Sequence, residues 1–299
     1  MTAATVTNPT AAISTTISKP GRSTGNKAGG VIASVAAWII GIIFIVPVLM
    51  MILTSFHPEA QATLNAPDLF APLTLTGYRE FFGSQSGQSP WPFLLNSLLA
   101  SVISTLLVLC LSIPAAYALA VKPVKKWTDV MFFFLSTKFL PVAAGLVPLY
   151  VIALKVDALD HVWFLIILYT AMNLPIAVWM MRSFLADIPP ALFEAASLDG
   201  AGLVKTLTRV VAPIAMPGIA STSLICFIFS WNELLLANLL TSTSAAQTGP
   251  VLLTGFVTSQ GLFLAKVCAA ATAVSVPVLV AGFAAQDKLV QGLSLGAVK

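Results

Sequence analysis

The stretch LFEAASLDGAGLVKTLTRVVAPIAMPG, residues 192–218, decides how the rest of the chain is read. It lies between two long apolar segments, yet it is too polar to cross a bilayer and too regular for a slack connection. Pro189-Pro190 just ahead restricts the backbone and suits the first turn of a helix, where no amide donor is needed. Leu192, Ala195 and Ala196, with Ala191 and Leu198, recur at helical spacing. Asp199-Gly200 breaks that run, because glycine supplies the backbone freedom that a turn requires. Leu203, Leu207, Val210 and Val211 then fall near one face of a second helix, while Lys205 and Arg209, four apart, share its polar flank. The stretch therefore reads as short helix, glycine hinge, short helix. On pattern alone it has two uses. It is an amphipathic element lying on the membrane surface. Or it is a plug that enters a groove on another protein, kept narrow by Ala195 and Ala196 and carrying the Glu194 carboxylate near a helix N-terminus.

The surroundings are those of a membrane protein. Of 299 residues, 58% are hydrophobic and only 9% charged, against about 25% charged in soluble domains. Mean hydropathy is +0.95. A hydrocarbon core of about 30 Å needs roughly 20 apolar residues as a helix, and six segments satisfy this: 31–53, 93–120, 130–154, 162–181, 213–239 and 264–286. Several contain proline (Pro47, Pro114, Pro141, Pro148, Pro175, Pro277), which membrane helices tolerate where neighbours satisfy the freed carbonyls. Residues 1–30 are rich in Thr, Ser, Ala and Gly and lack the apolar surface to offset chain entropy, so they are expected to be a disordered tail ahead of a membrane domain at 31–299. The apolar run after the tail is too long for a secretory signal. The three cysteines, Cys110, Cys226 and Cys268, lie in apolar segments as small core residues, without disulfide or metal-site spacing. No internal repeat is visible.

Lysine and arginine set the orientation. With the N-terminus inside, the cytoplasmic segments carry Lys19, Arg22, Lys27, Lys122, Lys125, Lys126, Arg182, Lys205, Arg209, Lys288 and Lys299, whereas the outer loops carry only Arg79 and Lys155. This positive-inside bias places both termini, and the hinged stretch between spans four and five, in the cytoplasm. The outer loop 54–92 is long and is expected to hold a short helix near Tyr78–Phe82; the outer loop 241–263 has no charged residue. The small net charge of +4 is accounted for by topology, with no nucleic-acid partner implied.

The run E-A-A-S-L-D-G-A, followed by P-x-x-x-P, resembles the EAA loop of importer-type ATP-binding-cassette permeases. F-L-L-N-S-L (residues 93–98), F-S-W-N-E (229–233) and V-Q-G-L-S-L-G-A-V-K (290–299) are similar to the carbohydrate-uptake branch, in the subunit like the second, six-span maltose permease. The resemblance implies an all-α membrane protein with the type I importer permease fold, with a cytoplasmic coupling loop at about 184–212 and a cytoplasmic tail at about 287–299. It also implies an assembly in the bacterial cell membrane: a second, usually non-identical permease subunit, two ATPase subunits that bind ATP and Mg, and an extracytoplasmic solute-binding protein. Glu194, Ala195, Ala196, Asp199 and Gly200 are then expected to dock in the ATPase cleft, the tail from Gly292 to Lys299 to lie against the ATPase pair, and 241–263 to approach the binding protein. No cofactor is expected in this chain. It has no G-x-x-x-x-G-K-[ST], since residues 21–27 lack the spacing and the following hydroxyl. Its two histidines, His57 and His161, assemble no catalytic triad or metal set.

Charge inside a bilayer costs about 2.5–3.5 kcal/mol on insertion scales, so each intramembrane polar residue needs a reason. Glu233 and Lys266 fall at similar depth and suit either a structural contact with each other or, for Trp231, Asn232 and Glu233, a lining for a polyhydroxyl solute. Lys138 either snorkels inward or faces a cavity. Asn173, two residues before Pro175, lines the pathway or bonds another helix. Residues 136–150, S-T-K-F-L-P-V-A-A-G-L-V-P-L-Y, resemble the third span of permeases for sugar alcohols such as sorbitol and mannitol. A disaccharide such as trehalose or maltose is the alternative cargo. An ion-coupled secondary transporter would need an ionisable relay at one midplane depth, which Lys138, Asn173 and Glu233 do not form.

Overall fold

The computed structural model describes residues 27–62, 71–83, 89–122, 124–139, 142–258 and 261–297. The expected tail lies, apart from its last four residues, outside them, as does Lys299. The chain divides into Met1–Leu49 and Met50–Lys299. The first unit contributes most of one apolar helix, α1 (Lys27–Thr54), which runs through Pro47. The second holds everything else.

In that second unit a short α2 (Glu59–Ala62) and α3 (Thr76–Phe82) precede the long α4 (Trp91–Val121). Then come α5 (Trp127–Ser136), a 3₁₀ turn at Thr137–Phe139, α6 (Val142–Lys155) and α7 (Val162–Ala186). The short α8 (Pro190–Leu198), α9 (Leu203–Thr206), a π turn at Leu207–Val211 and α10 (Ala212–Ile214) lead into α11 (Met216–Trp231). The chain ends through α12 (Leu235–Leu240), α13 (Gly249–Thr254), a two-residue antiparallel ladder of Val257–Thr258 on Gly261–Leu262, and α14 (Leu264–Ala297).

α4 packs against α7, and α11 lies against α4, α7 and α14. Lipid tails give helices no hydrophobic reason to associate, so close approach through small side chains must do it. Ala100, Ser101, Ser104 and Ala116 on α4, Ala177 on α7, and Ala269 and Ala270 on α14 are all fully buried. The expected short helix near Tyr78–Phe82 is α3.

Four helices are long and apolar enough to cross a membrane unbroken: Val31–Thr54, Trp91–Val121, Val162–Ala186 and Leu264–Gln286. The other two expected spans are not continuous rods. The third, expected over 130–154, is a bent pair, Trp127–Phe139 and Ala144–Lys155, with axes 90° apart. Between the two pieces the sequence holds Pro141, a residue with no amide to offer. The fifth, expected over 213–239, turns by 87° before Met216 and stops at Trp231. The turn falls at Ala215 (φ −85°, ψ 9°), because Pro217 has no N–H for the Pro213 carbonyl four residues back. Beyond Trp231 the Glu233 carboxylate takes the amides of Leu236 (3.0 Å) and Ala237 (3.2 Å) and so starts α12 as a separate helix.

Gly218, in the first turns of α11, lies against Phe184 of α7. A Cβ there would stand 2.4 Å from Cγ of Phe184 and 2.9 Å from its Cβ, close to the ring's attachment and not at a flexible tip. Gly218→Ala is therefore expected to destabilise the folded protein by about 1–3 kcal/mol, read as a lower melting temperature in detergent. Adding Phe184→Ala should recover part of the loss, since it removes the clashing ring.

Candidate functional site

The hinged stretch has the form its sequence dictates. Pro190 opens α8 at its first position, with Pro189 extended ahead of it (φ −56°, ψ 130°). At the other end the Ala201 amide bonds back to the Ala196 carbonyl (2.9 Å) and the Gly200 amide to that of Ser197 (3.1 Å). This Schellman closure needs a left-handed residue, and Gly200 supplies it at φ +68°. Thr206 then folds its hydroxyl onto the Gly202 carbonyl (3.1 Å) in the first turn of α9.

One side of the stretch is rooted in the protein. Phe193 meets Tyr117 of α4 edge-on at 5.7 Å. Val211 and Ala215 share a core with Ala116, Tyr117, Met181 and Leu185. The other side is bare: Leu198 is 89% exposed and Val204 74%, with Leu203, Glu194, Ala195, Asp199 and Gly200 also exposed. Of the five residues singled out in the E-A-A-S-L-D-G run, the chain itself covers only Ala196. Between α8–α9 and the end of α4 lies a groove of about 500 Å³, lined among others by Tyr117, Lys122, Phe193, Glu194, Ser197 and Thr206. Gly292 lies on the helical course of α14.

The intramembrane candidates do not form one cluster. Lys138 is exposed, in the 3₁₀ turn at the break between α5 and α6. Asn173 is fully buried and bonds another helix: its amide donates to Ser230 Oγ of α11 (2.9 Å) and to the Tyr169 carbonyl (3.0 Å). Ser104 of α4 donates to the same Ser230 Oγ (3.1 Å), which ties three helices at one level. Trp231 is buried next to this knot and donates Nε1–H to the Val274 carbonyl of α14 (3.1 Å). Asn232 is exposed and folds back on the Ile228 carbonyl (2.8 Å). Glu233 does not meet Lys266. Its carboxylate is occupied by α12 amides, and the Lys266 ammonium pairs instead with Glu80 of α3 at 3.5 Å. Equal depth in the sequence does not fix the azimuth around a helix, and the early end of α11 separates the two residues.

The opposite end of α4 carries polar residues that sequence reasoning passed over. α4 has 31 residues, about 46 Å of helix. Its last turns touch the hinged stretch, and its first turns, through Asn96 and Ser97, hold the loop 241–249. Asp160, between α6 and α7, reaches the same loop. Burial pushes the Asp160 carboxyl upward, but the Thr243 hydroxyl, the Ser242 and Thr243 amides and the nearby His161 outweigh it and hold the group below its ordinary value. A depressed carboxyl stabilises above its unfolded value and is lost only as pH falls through the lowered one, so Asp160 is an anion at neutral pH. Asn96 and Ser97 did stand in a quoted stretch, residues 93–98, but nothing in their spacing named a partner some 150 residues away.

The sequence profile of the family described as "Binding-protein-dependent transport system inner membrane component" matches residues 96–294. A probable ABC transporter permease of Sinorhizobium fredii is 35% identical over 261 residues, covering 87% of this chain and 92% of that protein. The sulfoquinovosyl glycerol transport system permease of Agrobacterium fabrum is 33% identical over 292 residues, covering 96% and 100%. Among solved structures, a bacterial ABC transporter involved in import of the acidic polysaccharide alginate has a chain that superposes with a TM-score of 0.71 over 91% of this chain and 100% of its own, at 21% identity, which speaks to fold alone. The matched profile and these relatives agree: this chain is a multi-span membrane protein of the family of inner-membrane components of binding-protein-dependent ABC transport systems.

Proposed function

We propose that this chain is one of two permease subunits of an ATP-driven carbohydrate importer, with a sugar alcohol as its solute. The observation that carries the reading is the bare side of α8–α9. An apolar knuckle of Leu198, Leu203 and Val204 beside Glu194 and Asp199 is exposed to an aqueous boundary, on a segment whose other side is locked into the core. Contiguous exposed apolar residues rimmed by charge mark an interaction surface, and the partner that fits is an ATPase subunit, which brings ATP and Mg that this chain has no motif to hold. The excess of Lys and Arg on the same side as this segment supports a cytoplasmic location for it and for both termini.

The path from this surface to the membrane is short. Displacing α8 acts through the Schellman closure at Gly200 on α9, then through the π turn and α10 onto α11 beyond the 87° bend. α11 lies against α4, α7 and α14, so its movement repacks most of the subunit. Closing of two ATPases then shifts a cavity shared with the second permease between inward-open and outward-open states, and the solute arrives on a binding protein from outside. Each partner must favour one state by contacts it lacks in the other.

For the solute, residues 136–150 with Thr137-Lys138 support a polyol, and the sulfoquinovosyl glycerol relative carries a polyhydroxyl compound of the same broad chemistry. Calorimetry of the partner binding protein with sorbitol, mannitol, trehalose and maltose tests this. A polyol is expected to bind; binding of a disaccharide alone would reassign the solute and leave the importer reading standing.

The coupling role has its own test. In proteoliposomes holding the whole transporter, Glu194→Lys is expected to cut solute uptake at least tenfold while the subunit still inserts and co-purifies with its partner permease. Unchanged uptake would sink the coupling role. The backbone at Gly200 gives a matched pair. Forcing a branched side chain into the left-handed region costs about 1–2 kcal/mol, and a Cβ there meets nothing within 4 Å, so Gly200→Val probes the turn alone. It should lower uptake several-fold, whereas Gly202→Ala, at φ −67° and equally unhindered, should not.

A further inference from the structure

We propose that Asp160, Asn96 and Ser97 are positioning residues that hold residues 242–245 as a preformed knuckle on which the extracytoplasmic binding protein docks. The inference rests on the importer reading above, which puts this end of α4 outside. It adds residues that neither the family match nor any quoted motif assigns.

The loop between α12 and α13 has no helix or ladder of its own, yet its backbone is held almost amide by amide. The Asp160 N–H donates to the Leu240 carbonyl (2.8 Å) at the end of α12. The Asp160 carboxylate accepts the Ser242 amide (2.9 Å), the Thr243 amide (3.1 Å) and the Thr243 hydroxyl. From α4, the Asn96 amide donates to two carbonyls, those of Ser244 (3.1 Å) and Gln247 (3.0 Å). Ser97 Oγ accepts the Gly249 amide (2.8 Å). The Thr243 carbonyl takes the amides of Ala246 (3.2 Å) and Gln247 (3.0 Å), and its hydroxyl oxygen takes that of Ala245 (3.2 Å).

Asp160 is placed for this by backbone that few residues adopt. α6 closes through Asp157 at φ +53°, with the Ala158 amide bonded to the Ala153 carbonyl (2.8 Å), and Asp160 itself stands at φ +59°. Aspartate is among the few non-glycine residues that tolerate this region. Two left-handed residues three apart turn the α6–α7 connection so that one side chain faces a loop more than 80 residues further along the chain.

What these bonds hold is specific. Ala246, Thr248 and Gly249 are buried, whereas Ser242, Thr243, Ser244 and Ala245 are exposed. The Ser242 and Ser244 hydroxyls make no hydrogen bond within the described residues, and nothing from 241 to 263 is charged. A connection needed only to join α12 to α13 has no use for three side chains from two other elements under its tip. A docking surface has, because immobilising a loop before the partner arrives removes an entropic cost from association. The partner it fits is a folded protein that brings hydrogen-bond groups to a small, neutral, fixed protrusion.

The experiment uses the whole transporter in nanodiscs with the purified binding protein of the same system, saturated with its solute, and follows ATP hydrolysis against binding-protein concentration. Asp160→Ala is expected to raise the concentration for half-maximal stimulation about three- to tenfold, with the maximal and unstimulated rates unchanged. Asp160→Asn, which keeps one carbonyl acceptor, should shift it less. Superimposed curves for wild type and Asp160→Ala would overturn the proposal, as would an equal fall in all rates, which marks a role in folding. Hydrogen exchange gives a second reading: amides of 242–249 should exchange slowly in the wild-type transporter before any binding protein is added, and fast exchange there would overturn it too. Ser244→Cys separates this from failure of the importer reading. Labelling of that cysteine by an impermeant thiol reagent only from the cytoplasmic side would refute the orientation itself. Labelling from outside, combined with superimposed curves, refutes the positioning role alone.

Discussion

A hydrocarbon layer offers no water to a backbone group that leaves a helix, so every interruption must bring its own partners. The architecture here follows from how this chain meets that constraint. At Ala215 the main chain bends by 87° and the ladder still bridges the corner, since the Ala215 amide bonds the Val211 carbonyl and the Ile219 amide bonds that of Ala215, each at 2.8 Å. At Asn232–Leu234 a helix stops and the Glu233 carboxylate satisfies the first free amides of the next. The connection between α12 and α13, placed outside the span by the importer reading, is not under that constraint, yet it too is held by side chains from elsewhere in the fold, Asp160, Asn96 and Ser97. Polar side chains thus serve at the last two of these places, in addition to those such as Ser104 and Asn173 that lie buried within helices.

The same bonds make the breaks stiff, and stiffness is what a lever needs. A flexible corner at Ala215 would absorb a push on α8; a bonded corner passes it to α11. Gly200 sits in open space on the exposed side, as does Gly202. The Tyr117–Phe193 contact and the core around Val211 fix the base on which this hinge turns. Open space at the exposed surface, bonded corners behind it and a core packed through alanine and serine are what the coupling role proposed above requires.

Much of this was legible in the sequence. Six apolar segments, the glycine hinge and its two flanking helices were visible because length, helical period and a single Asp-Gly break are local signals. The hinge was read correctly at Gly200 because only a residue free of a Cβ closes a Schellman turn without strain. What failed was continuity. Hydropathy cannot tell a straight span from two helices at a right angle, so each of the segments 130–154 and 213–239 reads as one span in the sequence, with Pro141 as a proline that a membrane helix tolerates. Proline is tolerated in the middle of α4, α7 and α14 at Pro114, Pro175 and Pro277. At Pro213-x-x-x-Pro217 the second proline withholds the amide that the first one's carbonyl needs. The Glu233–Lys266 contact failed for a related reason: depth along an axis is a one-dimensional coordinate, and although the helix α3 was visible, nothing local in the sequence says that its Glu80 meets Lys266.

The placement of buried polar groups bears on where an importer of this kind discriminates among solutes. Asn173, Ser230 and Ser104 join α7, α11 and α4 by hydrogen bonds that leave each of them shielded. Trp231 spends its indole donor on α14. A group already bonded inside the protein gains nothing from a passing hydroxyl unless it first gives up its partner, so the Ser104 and Ser230 hydroxyls, the Asn173 N–H groups and the Trp231 N–H favour keeping the helices together over recognising cargo, whereas the buried Asn173 Oδ1 has no partner among the described residues. Other polar residues keep exposed surface: Thr137, Lys138 and Asn232 where a helix is interrupted, and Ser183 and Asn238 within α7 and α12. A subunit built this way contributes shape and movement to a pathway. Under the importer reading proposed above, chemical selection falls less on these shielded residues than on groups that keep exposed surface and on the partners that face them.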